Sequence, residues 1–231
     1  MFEHKKALLL DMNSTFMFGE DRFGDEYNYY PYYSSIGGKL SQQQLTEIMT
    51  TVFEYLNHRY PLIEYRHCFP SVSDAIDISF AGTITASEKD KIIQTFSFHE
   101  HGEIPQAYRE ALIRLHEKYQ LSVVIDIWSP KDRWVETFKN LGIWALFSAC
   151  SFSSDHGMVK PSPKPFEQVA EALGICREKC LMIGDSTRRD LGGALAAGID
   201  CVLVGGARHE KALACFDSLL EFQQVVQPCH L

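Results

Sequence analysis

The chain has 231 residues, of which 45% are hydrophobic and 23% are charged, as is usual for a soluble globular protein. Its 22 Lys and Arg residues face 30 Asp and Glu residues, which gives a formal net charge of −8. A nucleic-acid-binding protein needs a basic face that neutralises phosphates, and docking on anionic membranes needs clustered Lys or Arg. The composition therefore predicts a protein that binds neither nucleic acid nor membranes.

Seven cysteines are scattered along the chain, and none forms a Cys-x-x-Cys pair. Four of them lie in or beside apolar runs: Cys150, Cys180, Cys201 and Cys215. This placement is typical of reduced, buried thiols in a cytosolic protein. The N-terminus carries only four consecutive apolar residues before Asp11, which is too few for a signal peptide. We therefore predict a cytoplasmic location.

Taken in chain order, four continuous apolar runs predict strands that are buried on both faces, as in a parallel sheet. They are residues 7–10, 121–125, 180–184 and 201–204. Amphipathic stretches of helical length separate the later runs: residues 108–119, 133–141, 165–173 and 190–197. Gly198 follows the last of these as a C-cap glycine. The alternation predicts an α/β fold with a doubly wound, mostly parallel, Rossmann-like sheet.

Residues 17–101, here called the inserted segment, do not follow this alternation. The segment begins with an aromatic loop at residues 27–33. Three later stretches predict helices: residues 41–58, 72–79 and 87–96. Ser71 and Ser87 stand at the expected starts of the last two helices. The sequence thus predicts a core of residues 1–16 and 102–231 that is interrupted by an all-helical domain.

Three carboxylates stand at the ends of predicted strands: Asp11, Asp126 and Asp185. Ligands of open α/β sheets bind outside the carboxyl ends of the strands. The run Val159-Lys160-Pro161 is expected to supply a lysine, Lys160, at the same edge. Because carboxylates at close range repel each other unless they are compensated, such a cluster usually holds a cation.

Three motifs carry a resemblance to the haloacid dehalogenase (HAD) superfamily. The run Asp11-Met12-Asn13-Ser14-Thr15 resembles the first motif, usually Asp-x-Asp-x-Thr. The run Lys160-Pro161-Ser162-Pro163 is similar to the lysine motif. The run Gly184-Asp185-Ser186-Thr187-Arg188-Arg189-Asp190 resembles the acidic motif. Their order and spacing, and the insertion after the first motif, also match, so the resemblance spans nearly the whole chain.

The resemblance implies a Mg²⁺-dependent, phosphatase-type hydrolase with residues 17–101 as a helical cap domain. Its substrate would be a small phosphorylated metabolite. Asp11 would attack phosphorus and form an aspartyl-phosphate, which water then hydrolyses. Asp11, the main-chain oxygen of Asn13 and Asp185 would bind Mg²⁺.

The remaining roles that the resemblance implies concern charge and support. Lys160 would neutralise the nucleophile and bind the transferring phosphoryl oxygens. Asp190 would orient Lys160 or a metal-bound water. Thr15 would brace the phosphate-binding loop.

Two positions depart from the family's motifs. Asn13 replaces the Asp that serves as general acid/base, a role typically worth about 10²–10⁴-fold in rate. An amide cannot protonate a leaving oxygen, so we expect slow hydrolysis of ordinary phosphoesters and less effect on acyl phosphates. The second departure is the Ser or Thr after the second strand. Ser129 is the preferred candidate for this phosphate-binding residue. If the motif is instead aligned on Pro130, Ile125 takes the position, and its side chain has no hydroxyl.

Other functions stay open on the sequence alone. Asn13 favours a catalytically weak protein that binds a phosphorylated ligand or a protein partner. Slow hydrolysis with a long-lived aspartyl-phosphate is another alternative. Dehalogenase or phosphonate-cleaving activity is a minor one. Dehalogenase-like members generally have an aromatic residue in place of Asn13, and Lys39 is the only lysine early in the inserted segment that could serve phosphonate cleavage.

Overall fold

The computed structural model describes residues 2–227. Its strands form one six-stranded parallel sheet in the order β3-β2-β1-β4-β5-β6. The strands are β1 (Ala7–Leu10), β2 (Gln120–Ile125), β3 (Phe147–Phe152), β4 (Cys180–Gly184), β5 (Asp200–Leu203) and β6 (Ala214–Cys215). The sheet confirms the predicted α/β class. The apolar runs predicted β1, β2, β4 and β5, but not β3 and β6.

The register of the central strands sets the position of the strand ends. Leu10 of β1 pairs with Val123 of β2 and with Ile183 of β4. The Asp11 main-chain N–H then donates to the Ile183 carbonyl at 2.9 Å. Because these parallel strands end almost level, the residues that follow them meet at one edge of the sheet.

The inserted segment contains the helices α1 (Tyr30–Ser35), α2 (Gln42–Arg59), α3 (Val72–Ser79) and α4 (Ala86–Glu100). The aromatic loop predicted at residues 27–33 is therefore partly wrong. Helix α1 begins there because Pro31, in its first turn, has a backbone already suited to a helix start. Ser71 caps α3 as predicted. Ser87 does not start α4, because Thr85 takes the N-cap position and accepts the Glu88 N–H.

The core contains six further α-helices in the described residues: α5 (Gln106–His116), α6 (Asp132–Asn140), α7 (Ser153–His156), α8 (Lys164–Leu173), α9 (Gly192–Ala196) and α10 (Leu219–Val226). The helix predicted at residues 190–197 is present as α9, but it begins earlier, because a π-helix, Thr187–Leu191, runs directly into α9. Gly198 follows with φ +72°, as the predicted C-cap glycine requires.

Hydrophobic side chains cover both faces of the sheet. Leu8 and Leu10 of β1 face one buried cluster, whereas Ala7 and Leu9 face another on the opposite side. A third cluster fills the inserted segment and also takes in Val159 from the core. The division of the chain into domains at residues 17 and 101 stays a prediction.

The cysteines are free thiols wherever the structure describes them, and Cys229 lies outside the described residues. Cys180 and Cys201 are buried as predicted, but Cys150 and Cys215 are only partly buried because β3 and β6 lie at the two edges of the sheet. Between residues 2 and 227, no helix is both long and apolar enough to cross a membrane.

Candidate active site

The site is centred on Asp11, directly after β1. Its side chain is almost completely buried, with 5% exposed. Burial, together with the negative charge of Asp190, raises the pKa of Asp11 to about 7. A carboxylate in this setting needs positive charge nearby if it is to act as a nucleophile at neutral pH.

Lys160 supplies part of that charge. Its Nζ lies 2.6 Å from Asp11 Oδ1 and 2.7 Å from Asp190 Oδ1. Only 2% of Lys160 is exposed. Burial by itself would lower the pKa of Lys160, but Asp11 and Asp190 outweigh it and hold that pKa above its usual value. The ammonium therefore stays charged, and it joins the end of β1 to the turn after β4.

Asp190 is fixed by its own contacts. It is completely buried, and its Oδ2 accepts the Ser186 N–H at 2.9 Å. The carboxyl group packs against the Cα of Gly184, where an added Cβ would lie 2.4 Å from the Asp190 carboxyl carbon. Only glycine allows this approach, so the end of β4 is shaped to hold Asp190 beside Lys160.

The loop after Asp11 is wound tightly around the Met12 carbonyl. This oxygen accepts the N–H groups of Thr15, Phe16 and Met17 at 3.0–3.1 Å. The Oδ1 of Asn13 and the Oγ1 of Thr15 are buried, and neither has a hydrogen-bond partner among the described residues. Buried polar atoms without partners are costly in a folded protein. This loop is therefore suited to a ligand that supplies the missing contacts.

The acidic residues of the site are suited to a metal ion. Carboxylate oxygens of Asp11, Asp185 and Asp190 lie within 4.8 Å of one another. Within residues 2–227, Asp185 Oδ1 is buried and has no hydrogen-bond partner; the guanidinium of Arg189 is 3.8 Å away. An all-oxygen donor set favours a hard cation such as Mg²⁺. Because Asp190 is engaged by Lys160 and Ser186, Asp11 and Asp185 are the carboxylates best placed to hold the ion, with Asn13 in the adjoining loop.

Ser129 is placed differently from the other predicted site residues. It is buried, and its main-chain N–H donates to a Glu100 carboxylate oxygen at 3.0 Å. The residue that directly follows β2 is Asp126, whose Oδ2 accepts the Lys160 N–H at 2.9 Å. Ile125, the alternative position, is the last residue of β2 and is buried. A phosphate-binding role for Ser129 stays a prediction.

Sequence reasoning missed Tyr60, and it left open whether Arg188 and Arg189 face an anionic substrate or water. The Tyr60 hydroxyl donates to Asp126 Oδ2 at 2.6 Å, and the Arg189 guanidinium lies 5.9 Å from the centre of the Tyr60 ring. Asp126 was expected at the edge of the sheet as one of three carboxylates that could hold a cation. Its Oδ2 is instead engaged by Tyr60 and Lys160, and Asp190 takes its place in the group of close carboxylates. Tyr60 gave no signal, because it is 66 positions from Asp126 in a segment whose packing the motifs do not specify. Arg189 lies within the acidic motif, and the structure places its guanidinium 3.8 Å from Asp185 Oδ1, while a contact with an anionic substrate stays a prediction.

The fold and the site together define a class of protein: an α/β protein with strand-end carboxylates and a buried lysine suited to a cation and an anionic group. The model of the family described as haloacid dehalogenase-like hydrolase matches residues 41–204. This range is more than half of the chain. The chain therefore belongs to the haloacid dehalogenase-like hydrolases, as the resemblance of its motifs predicted.

Among curated proteins, the chain is similar to the pyrophosphatase PpaX of Halalkalibacterium halodurans, with 29% identity over 136 residues, which cover 55% of this chain and 62% of that protein. It is also similar to the phosphoserine phosphatase of Thermus thermophilus, with 33% identity over 135 residues, 57% of this chain and 54% of that protein. The chain thus spans little more than half the length of these relatives.

A solved structure with the same fold is the 2-haloacid dehalogenase of Pseudomonas syringae. Its TM-score is 0.62 and its sequence identity is 17%, over 96% of this chain and 98% of that chain. At this identity the likeness concerns the fold alone.

Proposed function

We propose that this hydrolase removes phosphate from small phosphorylated metabolites in a Mg²⁺-dependent reaction at Asp11. The observation that carries the proposal is the buried ammonium of Lys160, which lies between Asp11 and Asp190. A fixed positive charge beside a nucleophilic carboxylate is what transfer of an anionic phosphoryl group requires. The two curated relatives, named as a pyrophosphatase and a phosphatase, support the same reaction class.

The proposed reaction has two steps at Asp11. A carboxylate oxygen of Asp11 attacks phosphorus, the bond from phosphorus to the leaving group breaks, and the leaving group departs with the electron pair. Water then attacks phosphorus, the bond from phosphorus to the Asp11 oxygen breaks, and a proton of the water passes to a phosphoryl oxygen or to solvent. Inorganic phosphate leaves, and the Asp11 carboxylate is restored. Lys160 would lower the charge repulsion between Asp11 and the phosphoryl oxygens in both steps. A bound Mg²⁺, held by Asp11, Asp185 and the main-chain oxygen of Asn13, would supply further positive charge there.

Asn13 sets the substrate preference in this proposal. Its amide can donate a hydrogen bond to a leaving oxygen, but it has no proton to give. Substrates whose leaving group departs as a stable anion, such as acyl phosphates and pyrophosphate, should therefore react faster than alkyl phosphates.

The test is a panel of acetyl phosphate, pyrophosphate, p-nitrophenyl phosphate and phosphoserine, each with Mg²⁺ and each compared with the Asp11→Ala variant. Release of phosphate above that control, fastest from acetyl phosphate or pyrophosphate, supports the proposal. Trapping of a phosphorylated Asp11 by mass spectrometry supports the two-step route. Activity no higher than that of Asp11→Ala on every substrate would exclude the proposal and favour a binding protein. The predicted cytoplasmic location stays a prediction.

A further inference from the structure

Asp126 connects three parts of the molecule through one oxygen atom. It directly follows β2, and its Oδ2 accepts the main-chain N–H of Lys160 at 2.9 Å. The same oxygen accepts the hydroxyl of Tyr60, at the end of α2, at 2.6 Å. A strand end, the lysine loop and the inserted segment therefore meet at this carboxylate.

The loop that carries Lys160 is also held by the inserted segment on its N-terminal side. The Val159 N–H donates to the Arg66 carbonyl at 3.0 Å, and the Phe69 N–H donates to the Gly157 carbonyl at 2.8 Å. These two main-chain bonds join the chain just before Lys160 to the chain between α2 and α3. The main chain of Lys160 is thus placed by residues that come from outside its own loop.

The aromatic contacts of Trp128 fix the position of Tyr60. The Trp128 ring lies 5.6 Å from the ring of Tyr60 and 5.7 Å from the rings of Phe53 and Phe69. Trp128 is two residues after Asp126, so the same stretch of chain provides both the acceptor and the surface on which Tyr60 packs. Aromatic pairs of this kind hold each other in defined orientations.

The hydroxyl of Tyr60 is suited to remain a donor. Burial, and then the charge of Asp126, raise the pKa of Tyr60 well above its ordinary value. Tyr60 and the Lys160 N–H therefore both donate to Asp126 Oδ2, and this fixes the direction of the carboxylate. A free carboxylate beside Lys160 would compete with Asp11 for the ammonium, whereas one engaged by two donors is held in place.

We propose that Asp126 and Tyr60 are positioning residues: Asp126 holds the main chain of Lys160 so that its ammonium meets Asp11, and Tyr60 orients Asp126 from the inserted segment. The proposal rests on the proposed function in one respect, which is that Lys160 takes part in phosphoryl transfer. Through this pair the inserted segment contributes to the catalytic geometry of the core.

The kinetic test compares Tyr60→Phe, Asp126→Ala, Asp126→Asn and the double variant Tyr60→Phe/Asp126→Ala with acetyl phosphate. We expect kcat to fall about tenfold in Tyr60→Phe and about 100-fold in Asp126→Ala, with KM changed less than about threefold. Asp126→Asn keeps an oxygen acceptor for the Lys160 N–H and should recover most of kcat. The double variant should be no slower than Asp126→Ala, because Tyr60 acts through Asp126.

Two kinetic results would overturn the proposal. The first is that Tyr60→Phe slows the Asp126→Ala enzyme by the same factor as it slows the wild type, which would mean that Tyr60 acts independently of Asp126. The second is that Asp126→Asn is as slow as Asp126→Ala, since the retained acceptor would then have no effect.

A second measurement does not need turnover. Acetic anhydride labelling followed by mass spectrometry reports how tightly each lysine is held. We expect Lys160 to be labelled about tenfold faster in Tyr60→Phe and Asp126→Ala than in the wild type. Lys5 is the internal reference, because its ammonium is equally buried and is bound by Asp200 and two main-chain carbonyls. Its labelling rate should not change.

Tyr55→Phe is the matched control for the loss of a hydroxyl from α2. The Tyr55 ring packs against the Arg59 guanidinium, 3.5 Å from the ring centre, rather than against Asp126. Loss of the Tyr55 hydroxyl should therefore leave the labelling rate of Lys160 at its wild-type value. An unchanged rate at Lys160 in both Tyr60→Phe and Asp126→Ala would overturn the proposal. A wild type without turnover would instead overturn the proposed function, and the labelling result would still decide this inference.

Discussion

Replacement of Asn13 by Asp restores a carboxyl group at the one position of the first motif where this chain departs from Asp-x-Asp-x-Thr. The Oδ1 of Asn13 is buried and without a hydrogen-bond partner among residues 2–227, in the loop that directly follows Asp11. Burial of a carboxyl group at that position would raise its pKa. It would therefore hold a proton near neutral pH and could give that proton to a leaving oxygen.

The expected gain follows from the worth of general acid catalysis, about 10²–10⁴-fold in rate, or about 2.7–5.4 kcal/mol of activation free energy. The gain is read from kcat/KM, because hydrolysis of the aspartyl-phosphate is common to all substrates and affects kcat alone. We expect the lower end, about 10²-fold in kcat/KM, for an alkyl phosphate such as phosphoserine, because the rest of the loop is unchanged. For acetyl phosphate, whose leaving group needs no proton, we expect less than about threefold.

The assay is phosphate release from phosphoserine and acetyl phosphate at saturating Mg²⁺, for the wild type and for Asn13→Asp. Asn28→Asp is the control for added charge, because Asn28 is exposed and its Oδ1 would still accept the Tyr30 N–H. The quantity that decides is the ratio of the two gains. Equal gains on both substrates, or a wild type that is already fast on phosphoserine and is not accelerated, would refute the reasoning.

Three further predictions concern stability. Gly184→Ala should cost about 1–3 kcal/mol and lower kcat, because its Cβ would meet the Asp190 carboxyl carbon at 2.4 Å; Gly192→Ala, with its nearest atom at 3.7 Å, should be neutral or stabilising by up to about 1 kcal/mol. Burial and neighbouring charge raise the pKa of Glu100 from 4.5 to about 7. The wild type should therefore lose up to about 3 kcal/mol relative to Glu100→Gln as the pH rises between those values. Mg²⁺ at about 100 times its Kd should add about 2.7 kcal/mol to the free energy of unfolding, and Asp185→Asn should remove most of that gain.

Denaturant unfolding measures all three. Equal losses in Gly184→Ala and Gly192→Ala would show that the approach of Asp190 to the strand end is not what requires glycine. The sign of the pH effect is fixed, because the folded protein binds the Glu100 proton more tightly than the unfolded chain does. A wild type that gains stability relative to Glu100→Gln as the pH rises would contradict it. A Mg²⁺ effect that survives Asp185→Asn would place the cation elsewhere.

The sheet and most helices could be predicted because their signals are local. Residues 7–10 and 180–184 are continuous apolar runs, and such runs are specific to strands buried on both faces. Edge strands lack that signal: β3 (Phe147–Phe152) is partly exposed, and β6 (Ala214–Cys215) has only two residues. The π-helix at Thr187–Leu191 was missed because its side-chain pattern differs little from that of an α-helix.

The histidines at the return from the inserted segment show the limit of local reasoning. The run His99-Glu100-His101 is similar to a metal-binding pattern, but histidines at positions i and i+2 do not share one helix face, so the sequence favours a solvated or hinge position over a metal site. His99 is buried and its Nδ1 contacts the Arg22 carbonyl at 3.2 Å, whereas the Nε2 of His101 lies 3.0 Å from Thr137 Oγ1. His99 is therefore not solvated, because α4 packs it against the chain near Arg22, whereas His101 is partly exposed. A hinge role for this stretch stays a prediction.

The sequence by itself determined the α/β class, the family motifs and the strand ends at which Asp11, Asp126 and Asp185 stand. These features follow from short-range patterns, because a local apolar run predicts each strand and the residue that follows a strand lies at the edge of the sheet. The motifs implied that Lys160 acts beside Asp11 and Asp190, and the tertiary structure gives the distances. Tertiary structure alone decided that Tyr60 reaches Asp126. The contact of Tyr60 with Asp126 joins residues 66 positions apart and depends on how the inserted segment packs against the core, which no local pattern records.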